Sequence, residues 1–160
     1  MDVNAANATA ISARMTDDSR AALMAVQREV RSLAARDREV KAHEQAHAAV
    51  GGAYASAPHY NYVRGPNGVR YADSGHVNID ISPVAGDPQA TLEKMQTVAR
   101  AALAPAEPSA QDRAVAAKAN REAAQARSEL ARERNEEISG VVKARQEIGS
   151  TSGSVVDLFV

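Results

Sequence analysis

Between Thr16 and Val50 the positions Val26, Val30, Leu33, Asp37, Val40, Glu44 and His47 recur in alternating steps of four and three. That spacing follows a single stripe of an α-helix. Thr16 with Asp17 and Asp18 suits its start, as a cap and as carboxylates near the positive end of the dipole, and Gly51-Gly52 suits its stop. Residues 51–86 differ in character, holding all four tyrosines and six of the nine glycines. Here Tyr60-Asn61-Tyr62-Val63-Arg64, the turn Gly65-Pro66-Asn67-Gly68 and Val69-Arg70-Tyr71 predict a β-hairpin. Val77, Ile79 and Ile81 then alternate with polar residues, which predicts a further strand with His76 and Asp80 on its polar face. Asp87-Pro88 opens a second helix to about residue 104, with Leu92, Met95, Val98, Ala99, Ala102 and Leu103 at helical spacing. Pro105 and Pro108 break it. Ser109 with Asp112 forms a capping-box-like restart, and a charged, alanine-rich helix runs to about residue 147. Its stripe, mostly alanine with Val115 and Leu130, fits a weak coiled coil, a solvated extension or a partly disordered segment. A Gly/Ser linker over 149–154 leads to the apolar end Val155–Val160.

Composition narrows the fold. Although 44% of the 160 residues are nominally apolar, 35 are alanine and only five are aromatic, so a large single core is not expected and a small domain with long helices is. Nineteen Lys and Arg against 20 Asp and Glu remove bulk charge as a means of binding nucleic acid or an anionic membrane. The absence of cysteine excludes disulfides, thiolate nucleophiles and cysteine-based metal sites. Any metal must be held by His, Asp or Glu. The N-terminus has no basic stretch followed by an apolar one, and no apolar run approaches the ~18 residues of a membrane span.

The chemistry concentrates in His43-Glu44-Gln45-Ala46-His47, an H-E-x-x-H motif inside the first helix. Four residues apart on a helix, two imidazoles lie on the same face, one turn apart, and can take adjacent corners of a zinc tetrahedron. Glu44 projects beside them, placed to take a proton from a water whose pKa zinc lowers to about 7. A catalytic zinc normally has three protein ligands, so a third is expected downstream. Val50 and Ala53 occupy the positions where a metzincin needs Gly and His, which excludes that class. His59, Asp73, His76 and Glu93 remain as candidates. His76 ranks first, because Asp80 on the same predicted strand face could accept its other ring N–H as an outer-shell partner. Glu93 on the second helix and His59 beside Pro58 are the alternatives. Tyr71, five residues before His76, is a candidate donor to a developing oxyanion.

The stretch from Arg36 to Ala117, with ARDREVKAHEQAHAAVGGAYA, GPNGVRYADSGHVNIDISPVAGDP and RAALAPAEPSAQDRAVAA, resembles the SprA-related family of bacterial zinc metallopeptidases. About half of the chain is covered, and several separate motifs agree in order. The resemblance implies a zincin-like catalytic domain with His43 and His47 as ligands and Glu44 as general base. Where the family's pattern reads Gly-Gly-Glu-Val, this chain has Ser74-Gly75-His76-Val77, so His replaces the acidic candidate ligand. Imidazole also binds zinc.

The expected fold is therefore α+β and mainly helical: a small zincin-like domain with an active-site helix, a short β-hairpin segment and a long charged C-terminal helix. The expected division is a flexible 1–15, a catalytic domain over 16–108, a charged helix over 109–148 and a flexible tail over 149–160. The expected activity is hydrolysis of peptide bonds in a protein or peptide substrate, with one zinc ion held by His43, His47 and His76. The alternatives are a non-catalytic metal-binding or helical module that engages a protein partner through residues 109–147, and a helical scaffold without metal. Nucleic acid and a membrane span are not expected. A cytoplasmic location is the default; Asp157-Leu158-Phe159-Val160 resembles the terminal motif of some metalloproteases exported by type I systems, which makes secretion without a signal peptide the alternative.

Overall fold

The computed structural model describes residues 17–151, with side chains through residue 146. The Thr16 cap, the stretch 1–15 and the end from 152 to 160, including the candidate export motif, lie outside the described residues. The order is helix α1 (Asp17–Gly51), a 3-10 turn (Gly52–Tyr54), strand β1 (His59–Arg64), strand β2 (Arg70–His76), helix α2 (Pro88–Ala102) and helix α3 (Ala110–Thr151). Among the described residues, three α-helices and one two-stranded antiparallel sheet make the fold mainly helical α+β. No helix among the described residues is long and apolar enough to cross a membrane.

The chain divides into two compact units, one containing α1 up to Ala49 with residues 55–78, the other containing residues 50–54 and those from Ile79 onward. In the first unit the sequence stripe on α1 seats the hairpin. A Cβ at Gly65 in the turn would lie 3.2 Å from Leu33 Cδ1. Further along, the Ala72 amide donates to Asp37 Oδ1 at 2.8 Å, and Gly75 lies against Glu44. Strand β2 thus advances in the same direction as α1. The rises match: the seven helix residues from Asp37 to Glu44 and the three strand residues from Ala72 to Gly75 each advance about 10 Å.

Strand β2 is longer than the alternation of apolar residues indicated, carrying the ladder to His76, while the run from Val77 to Ile81 forms no strand of its own. Asn78 exchanges hydrogen bonds with Ser56, its carbonyl accepting from the Ser56 amide at 2.8 Å and its amide donating to Ser56 Oγ at 3.0 Å. Ile79 and Ile81 are instead claimed by a helical core in the second unit, packing on Met95, Val98, Ala99, Ala119 and Ala123. That core explains the alanine content. Ala116, Ala119, Ala123 and Ala126 are buried along α3, and small side chains let α3 approach α2 closely. Only the first part of α3 is covered: from residue 131 to 146 every side chain is exposed, including Ile138, Val141 and Val142. The 109–147 segment is thus half packed helix and half solvated extension.

Both helix starts follow their local chemistry. Asp87 Oδ1 accepts from the Ala90 amide at 2.8 Å, with Pro88 in the first turn. Ser109 and Asp112 form the reciprocal capping box, Ser109 Oγ accepting from the Asp112 amide at 3.1 Å and Asp112 Oδ2 from the Ser109 amide at 2.7 Å.

The buried Lys94 ammonium donates to Asp80 Oδ2 at 2.7 Å and lies 5.4 Å from the Tyr54 ring centre. The Lys94 hydrogen bond, then bonds from Ser82, lower the Asp80 pKa to about 2. Because the folded value is depressed, the pair's contribution is complete above the ordinary carboxylate pKa and is lost as pH falls from about 4 towards about 2. Asp80→Asn is therefore expected to lower the melting temperature at pH 7 and to flatten its dependence on pH between 4 and 2, as read by thermal unfolding followed by circular dichroism. An unchanged profile would remove the Lys94–Asp80 pair as a determinant of acid stability.

Candidate metal centre

The H-E-x-x-H residues occupy the last turns of α1, and the helix does what their spacing requires. His43 Nε2 and His47 Nε2 lie 3.2 Å apart, with ring centres 4.8 Å apart at 75°. Two ligands at 2.0–2.1 Å on adjacent corners of a zinc tetrahedron would be about 3.3 Å apart. His47 is buried and His43 half-buried, so the nitrogens converge where water is partly excluded. His43 and His47 each offer an imidazole nitrogen to a metal ion.

Glu44 is buried at 6% exposure, although a helix carboxylate is usually solvated. Its neighbours come from the hairpin. A Cβ at Gly75 would lie 2.7 Å from Glu44 Cγ and 2.9 Å from the His59 carbonyl oxygen, so glycine is required by close approach. Tyr60, opposite Gly75 in the ladder, has its hydroxyl pKa raised, chiefly by burial and then by the negative charge of Glu44.

Three interactions hold this wall in place. Asp37 accepts from the Ala72 amide and from Lys41, whose Nζ is 2.8 Å from Asp37 Oδ1; the Lys41 bond first, and the Ala72 bond second, lower the Asp37 pKa. The ladder pairs Asn61 with Ser74 and Tyr62 with Ala72, which leaves Asp73 as a bulge. Its carbonyl and its carboxylate are both engaged by Arg36 Nε at 2.8 Å. Gly75→Ala is expected to destabilise the chain by about 1–3 kcal/mol, the usual effect of overpacking against atoms that cannot step aside. Denaturant unfolding measures it, and an unchanged midpoint would mean that the strand gives way freely.

The other candidates have partners of their own. His59 and His76 are cross-strand partners whose rings stack 5.2 Å apart at 13°, and both are exposed. Glu93 is exposed on α2 and accepts from Gln89 Nε2 at 2.6 Å. Asp80 is engaged by Lys94 and Ser82. The Tyr71 hydroxyl accepts from Asn67 Nδ2 at 2.9 Å in the hairpin turn. One contributor was missed in the sequence. Tyr60 was legible as a strand residue, but its nearness to Glu44 depends on the ladder register.

A model of the SprA-related family matches residues 2–157. No curated protein and no solved structure matches.

Proposed function

The chain belongs to the SprA-related family, and we propose that it is a zinc-dependent metallopeptidase with a zincin-like active-site helix. The observation that carries this reading is the 3.2 Å separation of the two Nε2 atoms beside a buried glutamate. His43 and His47 would hold the ion. His76 is the proposed third ligand and His59, its cross-strand partner, the alternative. Imidazole suits zinc, and both histidines lie on the hairpin that belongs to the same unit as the H-E-x-x-H residues.

Bound zinc would supply Lewis acidity and lower the pKa of a water to about 7. The chain's own contribution is proton transfer and positioning. A Glu44 carboxylate oxygen takes the proton of the attacking water and returns it to the leaving amine nitrogen. Gly75 lets the strand backbone lie close enough to restrict the Glu44 side chain to few rotamers. Tyr60, its hydroxyl pKa raised further from neutrality by burial and then by the charge of Glu44, is a phenol that can donate to negative charge developing on the substrate carbonyl. Tyr71 is the alternative for that donor.

The test is hydrolysis of an unstructured protein by the full-length chain supplied with zinc. Cleavage that stops on chelation and returns on adding zinc is expected; cleavage indifferent to chelation would overturn the proposal. A second reading, a helix that engages a protein partner, is favoured by exposed Ile138, Val141 and Val142 on α3. The two readings are compatible, because these residues belong to α3 and the H-E-x-x-H residues to α1.

A further inference from the structure

A cleft of about 220 Å³ lies in the first unit beside His43 and Glu44, between α1 and the bulged part of β2. It extends from the motif toward the N-terminus of α1: Val40, Glu39 and Arg36 line it from the helix, Asp73 and Ser74 from the strand. Its volume suits one long side chain rather than a whole ligand. Its charges are unequal. Arg36 is already engaged by Asp73, through both its carbonyl and its carboxylate, and Lys41 on the same helix is engaged by Asp37. Among the described residues no ion pair engages Glu39, which is exposed at the cleft. Half-buried Val40 offers an apolar wall next to it.

An aliphatic stem ending in a cation satisfies both features, the stem against Val40 and the head at the Glu39 carboxylate. We propose that this cleft receives a lysine or arginine side chain of a peptide substrate, with Glu39 as the residue that selects it. This rests on the peptidase reading, and it adds the substrate class: peptides with a basic residue adjacent to the bond presented at His43 and Glu44. An anionic side chain would meet Glu39, Glu44 and Asp73 against one committed guanidinium, and is disfavoured.

The test uses the full-length chain and two small probes, N-acetyl-lysine methylamide and its uncharged isostere N-acetyl-norleucine methylamide, titrated while backbone amide resonances are followed by NMR. The lysine probe is expected to shift the Val40 and Ser74 amides and to bind about fivefold more tightly, the upper range for an exposed ion pair. In Glu39→Lys, an exposed substitution that leaves the helix intact, that preference is expected to disappear. Equal affinities for the two probes, a preference that survives Glu39→Lys, or shifts confined to other parts of the chain would each overturn the proposal. Neither probe contains a bond that needs to be cleaved, so the result is independent of catalysis. Lysine-selective binding without peptide hydrolysis would keep the cleft and remove the peptidase; hydrolysis without charge preference would do the reverse.

Discussion

Glu44→Gln is expected to lower the rate of peptide hydrolysis by about 10²- to 10⁴-fold, the contribution of a positioned general base, while zinc binding is retained. Glutamine has nearly the same shape and fits the same space against Gly75, so the hairpin should stay in place. It cannot take the proton. Burial of the wild-type carboxylate, with Gly75 close to its Cγ, restricts the group to a narrow range of positions, so the loss should appear in kcat rather than in KM. Steady-state hydrolysis together with zinc affinity, measured on the same preparation, checks both halves. Full activity in Glu44→Gln would refute the mechanism, whereas loss of zinc along with activity would give the residue a structural role instead.

The second large effect concerns the ligands. Zinc at a free concentration of 100 times its Kd should stabilise the folded chain by about 2.7 kcal/mol, since the converging nitrogens exist in the folded state and are dispersed in the unfolded one. His43→Ala or His47→Ala should abolish that stabilisation, because removing either leaves no pair of nitrogens 3.2 Å apart. The third ligand is tested by the same measurement. His76→Ala should weaken zinc binding more than about 100-fold, beyond what outer-shell changes cause. Unchanged affinity would remove His76 from the role. Differential scanning calorimetry with and without zinc measures the stabilisation, and competition with a chromophoric chelator measures the affinity.

Much of this molecule was legible in the chain. The stripe from Val26 to His47 announced α1 and placed Glu44 and His47 on its inner face, and the structure shows that stripe meeting the hairpin at Leu33, Asp37 and Glu44. Asp87-Pro88 and Ser109 with Asp112 marked helix starts that the structure bears out. Such signals are short-range, fixed by bonds and contacts within a few residues. The strand from Val77 to Ile81 is the instructive difference. Its alternation was real, but Ile79 and Ile81 answer to a helical core formed by Met95, Val98 and Ala119, residues that a local pattern does not see. The stacking of His76 on His59 likewise depends on a ladder register.

By itself the sequence determined the helices, the hairpin turn, the absence of thiol chemistry and the face on which His43 and His47 meet, because helical periodicity converts spacing directly into direction. Tertiary structure alone decided that Gly75 lies against Glu44 and that Asp73 bulges towards Arg36. The reason is physical. These contacts join residues 31 and 37 positions apart, and their geometry follows from matched helix and strand rises, a single bulge and the seating of the hairpin on α1, none of which any one segment encodes.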